Sequence, residues 1–270
     1  MKNVCTFYFS ATGTTEKIVN TIADTIAEKL GTNVVPYDFT LPKARKEPKT
    51  FTENDIVICA TPTYAGRVPN VLLKYLDTVK GNGALAVPVV LYGNRNYDDS
   101  LIELRNILEK DGFHTIAGGA FVGEHSFSYT LAAGRPDEKD IAVAKEFAAK
   151  IADRILNNNI PSSPCYVKGN DPIRPYYTPR DRKGNPVNIL KVKPLTSDKC
   201  TNCGTCAAVC PMGSINPENV REFIGICIKC GACVKKCPKG AKYYDDPKYL
   251  YHKEELELGY TRRAEPEYFI

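Results

Sequence analysis

The sequence predicts a doubly wound α/β domain, built on a parallel sheet, followed by a small cysteine-rich domain. Three observations support this prediction. Strand-like and helix-like patterns alternate over roughly the first 160 residues, eight of the eleven cysteines fall within residues 200–237, and a proline-rich stretch lies between the two regions. Strands that alternate with helices of this length favour a parallel sheet that is covered on both faces.

The first strand and the first helix have the clearest patterns. Residues 3–9 are rich in β-branched and aromatic side chains, which favours a buried strand. Residues 14–30 carry apolar side chains at helical spacing, from Ile18 to Leu30, before Gly31 ends the helix. Further strands are predicted at residues 33–37, 55–60, 85–92 and 114–122, and further helices near residues 70–80, 101–108 and 137–157.

The chain divides into four segments by composition. We expect a first domain at residues 1–160, a connector at 161–195, a cysteine-rich domain at 196–245 and a C-terminal arm at 246–270. The connector contains seven prolines, so it should form a semi-rigid strap rather than a flexible tether. The arm combines charged residues with tyrosines and leucines, which indicates a segment that docks on a protein surface. A contact between the subunits of a homodimer is one possible location for it.

Composition argues against several classes of protein. Hydrophobic residues at 43% and charged residues at 25% are typical of a soluble globular domain. The net charge of +5 comes largely from the connector, so no basic face for nucleic acid is indicated. No apolar run approaches the roughly 20 residues of a membrane-spanning helix, and residues 1–10 lack the pattern of a signal peptide. We therefore expect a cytoplasmic protein.

The cysteine-rich domain contains one pattern twice. Each copy reads C-x2-C-x2-C-x3-C-P, and the copies run from Cys200 to Pro211 and from Cys227 to Pro238. The alternatives are structural zinc, which usually takes two separated pairs of ligands, and disulfides, which belong to secreted chains. Two matched runs of four cysteines, each closed by Cys-Pro, favour iron and sulfur instead.

This spacing resembles that of the two-cluster bacterial ferredoxins, in which four thiolates hold each [4Fe-4S] cluster. The resemblance implies two clusters in a small α+β domain of the bacterial ferredoxin type. In that pattern the fourth cysteine of each run ligates the other cluster. The implied ligands are Cys200, Cys203, Cys206 and Cys237 for one cluster, and Cys227, Cys230, Cys233 and Cys210 for the other.

The loop after the first strand, residues 10–15, is a candidate phosphate site. It alternates hydroxyl residues with Gly13 and leads directly into a helix N-terminus. Backbone N–H groups and the helix dipole can bind a phosphate there. The loop lacks the lysine of a nucleoside triphosphate loop and the glycines of a dinucleotide loop. Taken alone, an N-cap with additional threonines would explain the pattern equally well.

Two later loops favour the phosphate site. Residues 61–67 follow the third strand and residues 93–97 follow the fourth, so both should lie at the sheet edge that carries residues 10–15. Tyr64 and Tyr97 could stack on a flat ring, and loop amides could meet the polar edge of that ring. The three loops together therefore indicate a site for a nucleotide with an aromatic ring.

With these loops, residues 1–158 resemble the flavodoxins, which bind FMN at this edge of a five-stranded sheet of order 2-1-3-4-5. The chain contains no tryptophan, so the tryptophan that covers the flavin in many flavodoxins has no counterpart. The resemblance implies phosphate contacts from Ser10, Thr12, Gly13, Thr14 and Thr15. It implies ring contacts from Thr61, Pro62, Thr63, Tyr64, Ala65, Gly66, Gly93, Asn94 and Tyr97.

Two charged residues lie between the fifth strand and the last helix of the first domain. His125 or Arg135 could face the flavin, where positive charge would favour its reduced, anionic form. Alternatively, His125 bonds loop backbone and Arg135 pairs with Asp137 or Glu138. We expect the second arrangement, because a position in the sequence is no proof of proximity.

The whole order of motifs resembles the fused flavodoxin-ferredoxin proteins of anaerobic bacteria and archaea. The motifs are residues 10–15, 61–67 and 93–97, then 124–126, 134–137 and the two cysteine runs. The resemblance implies an electron carrier with one FMN and two [4Fe-4S] clusters, which exchanges electrons with ferredoxins, flavodoxins or larger redox enzymes.

Two other functions stay open. One is an FMN-dependent reductase of a small organic acceptor, such as a quinone or a nitro compound, fed through the clusters. The absence of a G-x-G-x-x-G loop counts against direct use of NAD(P)H. The other is a redox sensor, for which the sequence offers no DNA-binding or signalling element. An electron carrier rather than a substrate-specific enzyme is therefore our expectation.

Overall fold

The structure is a computed structural model that describes residues 2–270, and Met1 lies outside the described residues. The strands are β1 (Asn3–Tyr8), β2 (Val34–Asp38), β3 (Asp55–Pro62), β4 (Leu85–Tyr92), β5 (His114–Thr115), β6 (Gly118–Val122), β7 (Leu195–Thr196), β8 (Lys242–Tyr243) and β9 (Glu267–Phe269). The helices are α1 (Thr14–Leu30), α2 (Asn70–Leu76), α3 (Ser100–Lys110), α4 (Glu138–Leu156), α5 (Thr205–Ala208), α6 (Ala232–Lys235) and α7 (Pro247–Gly259).

The large sheet has the strand order β2-β1-β3-β4-β6-β9, with β5 paired to β4. Strands β1 to β6 run parallel to their neighbours, as short strands separated by helices require. With β5 and β6 counted as one interrupted strand, this is the flavodoxin-like order 2-1-3-4-5, so the predicted fold class is confirmed. The order reverses at β1, whose neighbours are β2 and β3, and the loop of residues 10–15 leaves β1 at that switch point.

Two features of the sheet differ from the prediction. The fifth strand is divided, because the carbonyl of Ile116 accepts a hydrogen bond from the Arg154 guanidinium at 2.7 Å. A sixth strand, β9, comes from the C-terminal arm and runs antiparallel to β6, with Tyr268 opposite Gly119. The end of the arm therefore docks on the sheet edge of its own chain.

The core of the first domain lies on both faces of the sheet, because side chains alternate along β1. Cys5, Phe7 and Phe9 pack with the apolar residues of α2 and α3. Val4 and Tyr8 pack with the predicted apolar stripe of α1 and with α4. Burial of an aromatic or branched side chain in such a core contributes about 1.5–3 kcal/mol.

The cysteine-rich domain is built around two one-turn helices, α5 and α6. Each begins after a glycine in the left-handed conformation, Gly204 (φ 74°) or Gly231 (φ 76°), which directly follows the second cysteine of its run. Strands β7 and β8 pair antiparallel beside these helices. The apolar core of this domain is small, and small domains commonly use additional constraints such as bound metal groups.

The connector packs against the first domain as a strap. The Tyr177 N–H donates to the carbonyl of Ala65 at 2.8 Å, and the Tyr176 hydroxyl donates to the carbonyl of Val68 at 2.8 Å. Asp99, which is almost fully buried, accepts hydrogen bonds from the backbone and the guanidinium of Arg174 in the connector. The strap therefore holds the loops that follow β3 and β4. Among residues 2–270, every helix is too short or too polar to cross a bilayer.

Candidate cofactor sites

The loop between β1 and α1 forms a cradle of free backbone N–H groups. Within residues 2–270, no protein group accepts a hydrogen bond from the backbone N–H groups of residues 11–15. Gly13 lies in the left-handed region (φ 98°), and a Cβ there would touch no neighbour. Unpaired N–H groups at the N-terminus of a long helix, with the positive end of its dipole, form an anion site.

Ser10 supports this cradle from behind. Its Oγ accepts a hydrogen bond from the Glu16 N–H at 3.0 Å, and its own N–H donates to the Thr40 hydroxyl at 2.7 Å. Ser10 is buried, whereas Thr12 and Thr14 are partly exposed beside the cavities next to the loop. Of the predicted phosphate residues, 12–15 therefore line the cavities beside the loop, and Ser10 fixes the start of α1.

A cavity with about 470 Å³ of free space lies between the loops that follow β1, β3, β4 and β6. We call it the ring cavity. All four loops leave the carboxyl ends of parallel strands, so they meet at one edge of the sheet. Of the predicted contact residues, the structure places the following around it: Thr12, Thr14, Thr15, Pro62, Thr63, Tyr64 and Gly93.

Three predicted ring residues after β3 have other surroundings. Thr61 lies within β3, fully buried, and its hydroxyl has no hydrogen-bond partner in the described part of the chain. Ala65 holds the connector through its carbonyl. At Gly66 a Cβ would lie 2.5 Å from the carboxylate of Asp98, so this glycine packs against the loop that follows β4 rather than against the ring cavity.

Two predicted ring residues after β4 contact the C-terminal arm instead. Asn94 donates from Nδ2 to the carbonyls of Tyr260 and Arg262, both at 2.7 Å. Tyr97 donates its hydroxyl to the carboxylate of Glu267. Both side chains are buried, and neither lies among the residues around the ring cavity. The arm occupies the adjacent sheet edge and supplies the polar partners that these side chains need.

The loop after β6 also borders the ring cavity. Gly123, Glu124 and Ser126 line it beside His125, although the sequence analysis predicts no cofactor contact for these three residues. A signal for them exists, because this loop follows the fifth predicted strand at the same sheet edge. Gly93 permits a close approach here, since a Cβ at Gly93 would lie 2.3 Å from the imidazole of His125.

His125 bonds the backbone of its own loop, as we expect from the sequence. Its Nδ1 accepts a hydrogen bond from the Phe127 N–H at 3.1 Å, and its ring also lines the ring cavity. Burial, together with the nearby His252 and Lys235, lowers the pKa of His125 to about 4. The imidazole is therefore neutral at pH 7 and brings no positive charge to the cavity.

Arg135 is held by an acidic residue one turn into α4. Its guanidinium pairs with Asp140, and both side chains are almost completely buried. Asp137, one of the two expected partners, lies 3.9 Å away, and the carbonyl of Ala264 in the arm accepts a further hydrogen bond at 2.9 Å. Arg135 therefore organises the fold around the arm.

The eight cysteines of the two runs line two separate cavities, four to each. One cavity has about 330 Å³ of free space and is lined by Cys210, Cys227, Cys230 and Cys233. The other has about 300 Å³ and is lined by Cys200, Cys203, Cys206 and Cys237. These are the crossed groups that the ferredoxin resemblance implies, while the ligation itself stays a prediction. We call them the proximal and the distal cavity, because Cys230 of the first also lines the ring cavity.

Backbone N–H groups approach the sulfur atoms at equivalent places in the two runs. The Ser214 N–H lies 3.3 Å from Cys210 Sγ, and the Ala241 N–H lies 3.2 Å from Cys237 Sγ. In both cases the donor comes four residues after the last cysteine of a run. Hydrogen bonds to sulfur are one of the factors that set cluster potentials.

The two cysteine cavities differ in exposure. Cys230 and Cys233 are buried, and burial raises the pKa of the Cys230 thiol to about 12. Cys203 in the distal cavity is exposed, and hydrogen bonds from Thr205 lower the pKa of its thiol. Two thiols of the proximal set are therefore buried, whereas the distal set contains one buried thiol, Cys206, and one exposed thiol, Cys203.

Tyr64 links the ring cavity to the proximal cavity. It lines the ring cavity and packs in the same apolar cluster as Cys230. Burial and the nearby Cys230 and Cys227 thiols raise the pKa of the Tyr64 hydroxyl well above its ordinary value. The phenol therefore stays neutral at the boundary between the two domains.

The residues present fit both kinds of cofactor. The free N–H groups of residues 11–15 fit a phosphate, and the ring cavity lies directly beside them, with hydroxyl, aromatic and backbone groups in its wall. Four thiols around each cysteine cavity supply the donor set of a [4Fe-4S] cluster. The remaining cysteines, Cys5, Cys59 and Cys165, are buried apart from these cavities.

Comparison with known proteins identifies the cysteine-rich segment. Residues 199–242 match the family model of the 4Fe-4S dicluster domain. The predicted ferredoxin-type domain is thereby confirmed, next to a first domain whose strand order is flavodoxin-like. No curated protein matches the chain.

Solved structures similar to this chain include several flavodoxins. A flavodoxin from the domain Archaea is 16% identical and aligns with 58% of this chain and 99% of its own, with a TM-score of 0.41. The flavodoxin of Streptococcus pneumonia TIGR4 is 24% identical over 56% of this chain and 99% of its own, with a TM-score of 0.40. Rubredoxin oxygen:oxidoreductase from Desulfovibrio gigas is 19% identical over 59% of this chain and 37% of its own, with a TM-score of 0.43.

Proposed function

We propose that the chain is an electron-transfer flavoprotein that holds one FMN and two [4Fe-4S] clusters and exchanges electrons with an external low-potential partner. Residues 12–15 would hold the phosphate, Tyr64 and Gly93 would border the ring, and the eight cysteines would hold the clusters. A flavin stores one or two electrons and a cluster passes one at a time, so together they connect one-electron and two-electron chemistry.

The position of Cys230 is the observation that carries this proposal. It is the residue common to the ring cavity and the proximal cavity. One side chain therefore lies in the wall of a mononucleotide site and in the ligand set implied for a cluster. This arrangement supports electron exchange between the two sites within a single chain.

The distal cavity is the proposed site of exchange with a partner. Cys203 is exposed there, and three exposed lysines lie in the surrounding segments: Lys199, Lys236 and Lys239. Within residues 2–270, none of their ammonium groups has an ion pair or a hydrogen bond. Free positive charge around a redox site favours an acidic partner, because complementary charge raises the rate of encounter.

Anaerobic purification followed by cofactor analysis tests the proposal. We expect about one FMN per chain and about eight irons with matching sulfide, as two four-iron clusters require. A spectroelectrochemical titration should then give three redox centres. Absence of flavin, or zinc in place of iron, would overturn the proposal. Steady turnover of a quinone or nitro compound with NAD(P)H would favour the reductase instead.

Charge reversal at the distal cavity tests the partner. The double variant K236E/K239E should exchange electrons with an acidic one-electron carrier about tenfold more slowly at low salt, and the difference should shrink at high salt. The matched control is K139E/K145E, which makes the same charge change at exposed positions of α4. Equal slowing in both variants would point to net charge rather than to a docking site.

A further inference from the structure

We infer that residues 228–232 of the iron-sulfur domain form part of the FMN site, as the group that covers the ring. This inference rests on the proposed function, because it concerns how the same flavin would be held. It assigns binding residues outside the flavodoxin-like domain. It also makes FMN affinity depend on the docking of the iron-sulfur domain.

The two domains lie close together at Gly231. A Cβ at Gly231 would lie 2.6 Å from the backbone carbonyl oxygen of Ser126, which lines the ring cavity. Cys230 lines the cavity, and Ala232 is fully buried in the core cluster that includes Tyr92 of the first domain. This segment therefore packs into the cavity wall with no space for a larger residue at position 231.

The loop after β4 supplies no aromatic side chain that could cover the ring. The sequence contains no tryptophan, and the hydroxyl of Tyr97 donates a hydrogen bond to Glu267 in the arm. Tyr64 borders the cavity from the loop after β3. A small-molecule site usually buries 70–90% or more of its ligand. Cys230 of segment 228–232 also lies against this cavity, and it comes from outside the four loops of the first domain.

Separate contacts between the two domains hold the segment in place. The Lys235 ammonium, at the end of α6, pairs with Glu124 and donates to the carbonyl of Ser128. On another side, the Arg45 guanidinium donates to the carbonyl of Pro211. These contacts join the iron-sulfur domain to the loops after β6 and β2.

An aromatic column reinforces the same interface. Tyr244, which lines the proximal cavity, stacks on Tyr249 with ring centroids 4.0 Å apart. Tyr249 packs on Phe127 at 4.7 Å, and Phe127 meets His125 of the ring cavity at 5.2 Å. The column runs from one site to the other, so it fixes their relative position. A site that is already closed in this way binds its ligand with a smaller loss of entropy.

A matched pair of glycine variants tests the inference. Gly231 and Gly204 occupy equivalent positions in the two cysteine runs, with nearly equal φ angles of 76° and 74°. G231A would push against Ser126, whereas a Cβ at Gly204 meets nothing within 4 Å. Both variants carry the same backbone strain, so only the contact with the first domain differs.

The measurement is the dissociation constant of FMN, from flavin fluorescence, on chains freed of flavin and loaded with iron. We expect G231A to bind FMN at least about tenfold more weakly than G204A. Iron content, determined on the same samples, should be equal in the two variants. Equal FMN affinity in G231A, G204A and the wild type would overturn the inference while leaving the proposed function standing.

A second pair keeps the test decisive if G231A fails to fold or to hold iron. K235Q removes the ion pair with Glu124 and the hydrogen bond to the carbonyl of Ser128. The neighbouring K236Q removes the same charge from an exposed side chain. K235Q should bind FMN more weakly than K236Q at equal iron content, and equal affinities would overturn the inference. A wild-type chain that binds no FMN would overturn the proposed function and the inference together.

Discussion

Arg135 and Asp140 form an ion pair in which the side chains are only 4% and 0% exposed. The carboxylate of Asp140 also accepts a hydrogen bond from the Asp137 N–H at 2.9 Å, which completes the cap of α4. The arm adds a carbonyl from Ala264 to the same guanidinium. The start of α4, the loop after β6 and the arm are thus joined at one buried charge pair.

Removal of one member of this pair should destabilise the protein strongly. D140N leaves the buried Arg135 guanidinium with only the more distant carboxylate of Asp137, 3.9 Å away, and breaking a buried ion pair typically costs about 3–5 kcal/mol. Thermal unfolding at fixed cofactor content should therefore show a fall in Tm on the order of 10 °C. The control is D77N, which breaks the exposed pair with Lys110 and should cost at most about 1 kcal/mol. Similar falls in Tm for D140N and D77N would contradict the claim that burial makes the Arg135–Asp140 pair important for stability.

The neutral imidazole of His125 predicts a dependence of stability on pH. The pKa of His125 is lowered to about 4 in the folded chain, from an ordinary value of 6.5, by burial and by His252, Lys235 and Arg95, while Glu257 opposes the shift. Between these values the unfolded chain binds the proton more readily than the folded chain. His125 should therefore cost no stability above pH 6.5 and an increasing amount as the pH falls toward about 4.

Comparison of the wild type with H125Q isolates this effect, because His252 and the carboxylates titrate in both. The wild type should lose more thermal stability than H125Q between pH 7.5 and about 5. Parallel stability curves for the two proteins would show that His125 is protonated in the fold as easily as in the unfolded chain.

Only the proximal cavity adjoins the ring cavity, which predicts unequal effects of ligand loss in the two cysteine sets. C203S should leave about four irons per chain, because only the distal set is broken, and it should leave FMN affinity close to that of the wild type. C233S, in the proximal set, should lower FMN affinity as well as iron content, since its cavity shares a wall with the ring cavity. Iron, sulfide and FMN analysis of both variants checks this. The control is C165S, whose cysteine lies in neither set and which should keep all three. Loss of FMN from C203S but not from C233S would contradict the assignment of the proximal and distal cavities.

Much of the fold was predictable because its signals are local. The alternation of Val4, Cys5 and Phe7 between two faces and the apolar stripe of α1 are consequences of strand and helix periods that the sequence displays directly. The cysteine grouping was predictable for a different reason, since the resemblance to the two-cluster ferredoxins implies that the fourth cysteine of each run joins the other set. The sixth strand, β9, could not be predicted, because residues 267–269 carry no pattern that indicates pairing with β6.

The ring cavity was predictable only in part, because several of its neighbours come from distant segments. The position of a loop after β4 predicted that Gly93 borders the cavity, and the structure places it there. The same signal could not reveal that the arm, about 170 residues later, engages Asn94 and Tyr97. It also gave no sign that Cys230 forms part of the wall. Such long-range polar pairs have no period in the sequence.

The contacts of Asn94 lead to a prediction that separates a flavin ligand from a support for the arm. Asn94 is buried, and its amide satisfies two carbonyls and one N–H of residues 260–264. N94A would leave those groups without partners, and each buried unsatisfied group costs about 1–3 kcal/mol. We expect N94A to lower the Tm of flavin-free protein and to make the arm cleavable by protease. N96A, at a neighbouring exposed residue, is the control. A direct flavin ligand would behave in the opposite way, because its removal weakens FMN binding but leaves the flavin-free chain as stable as before.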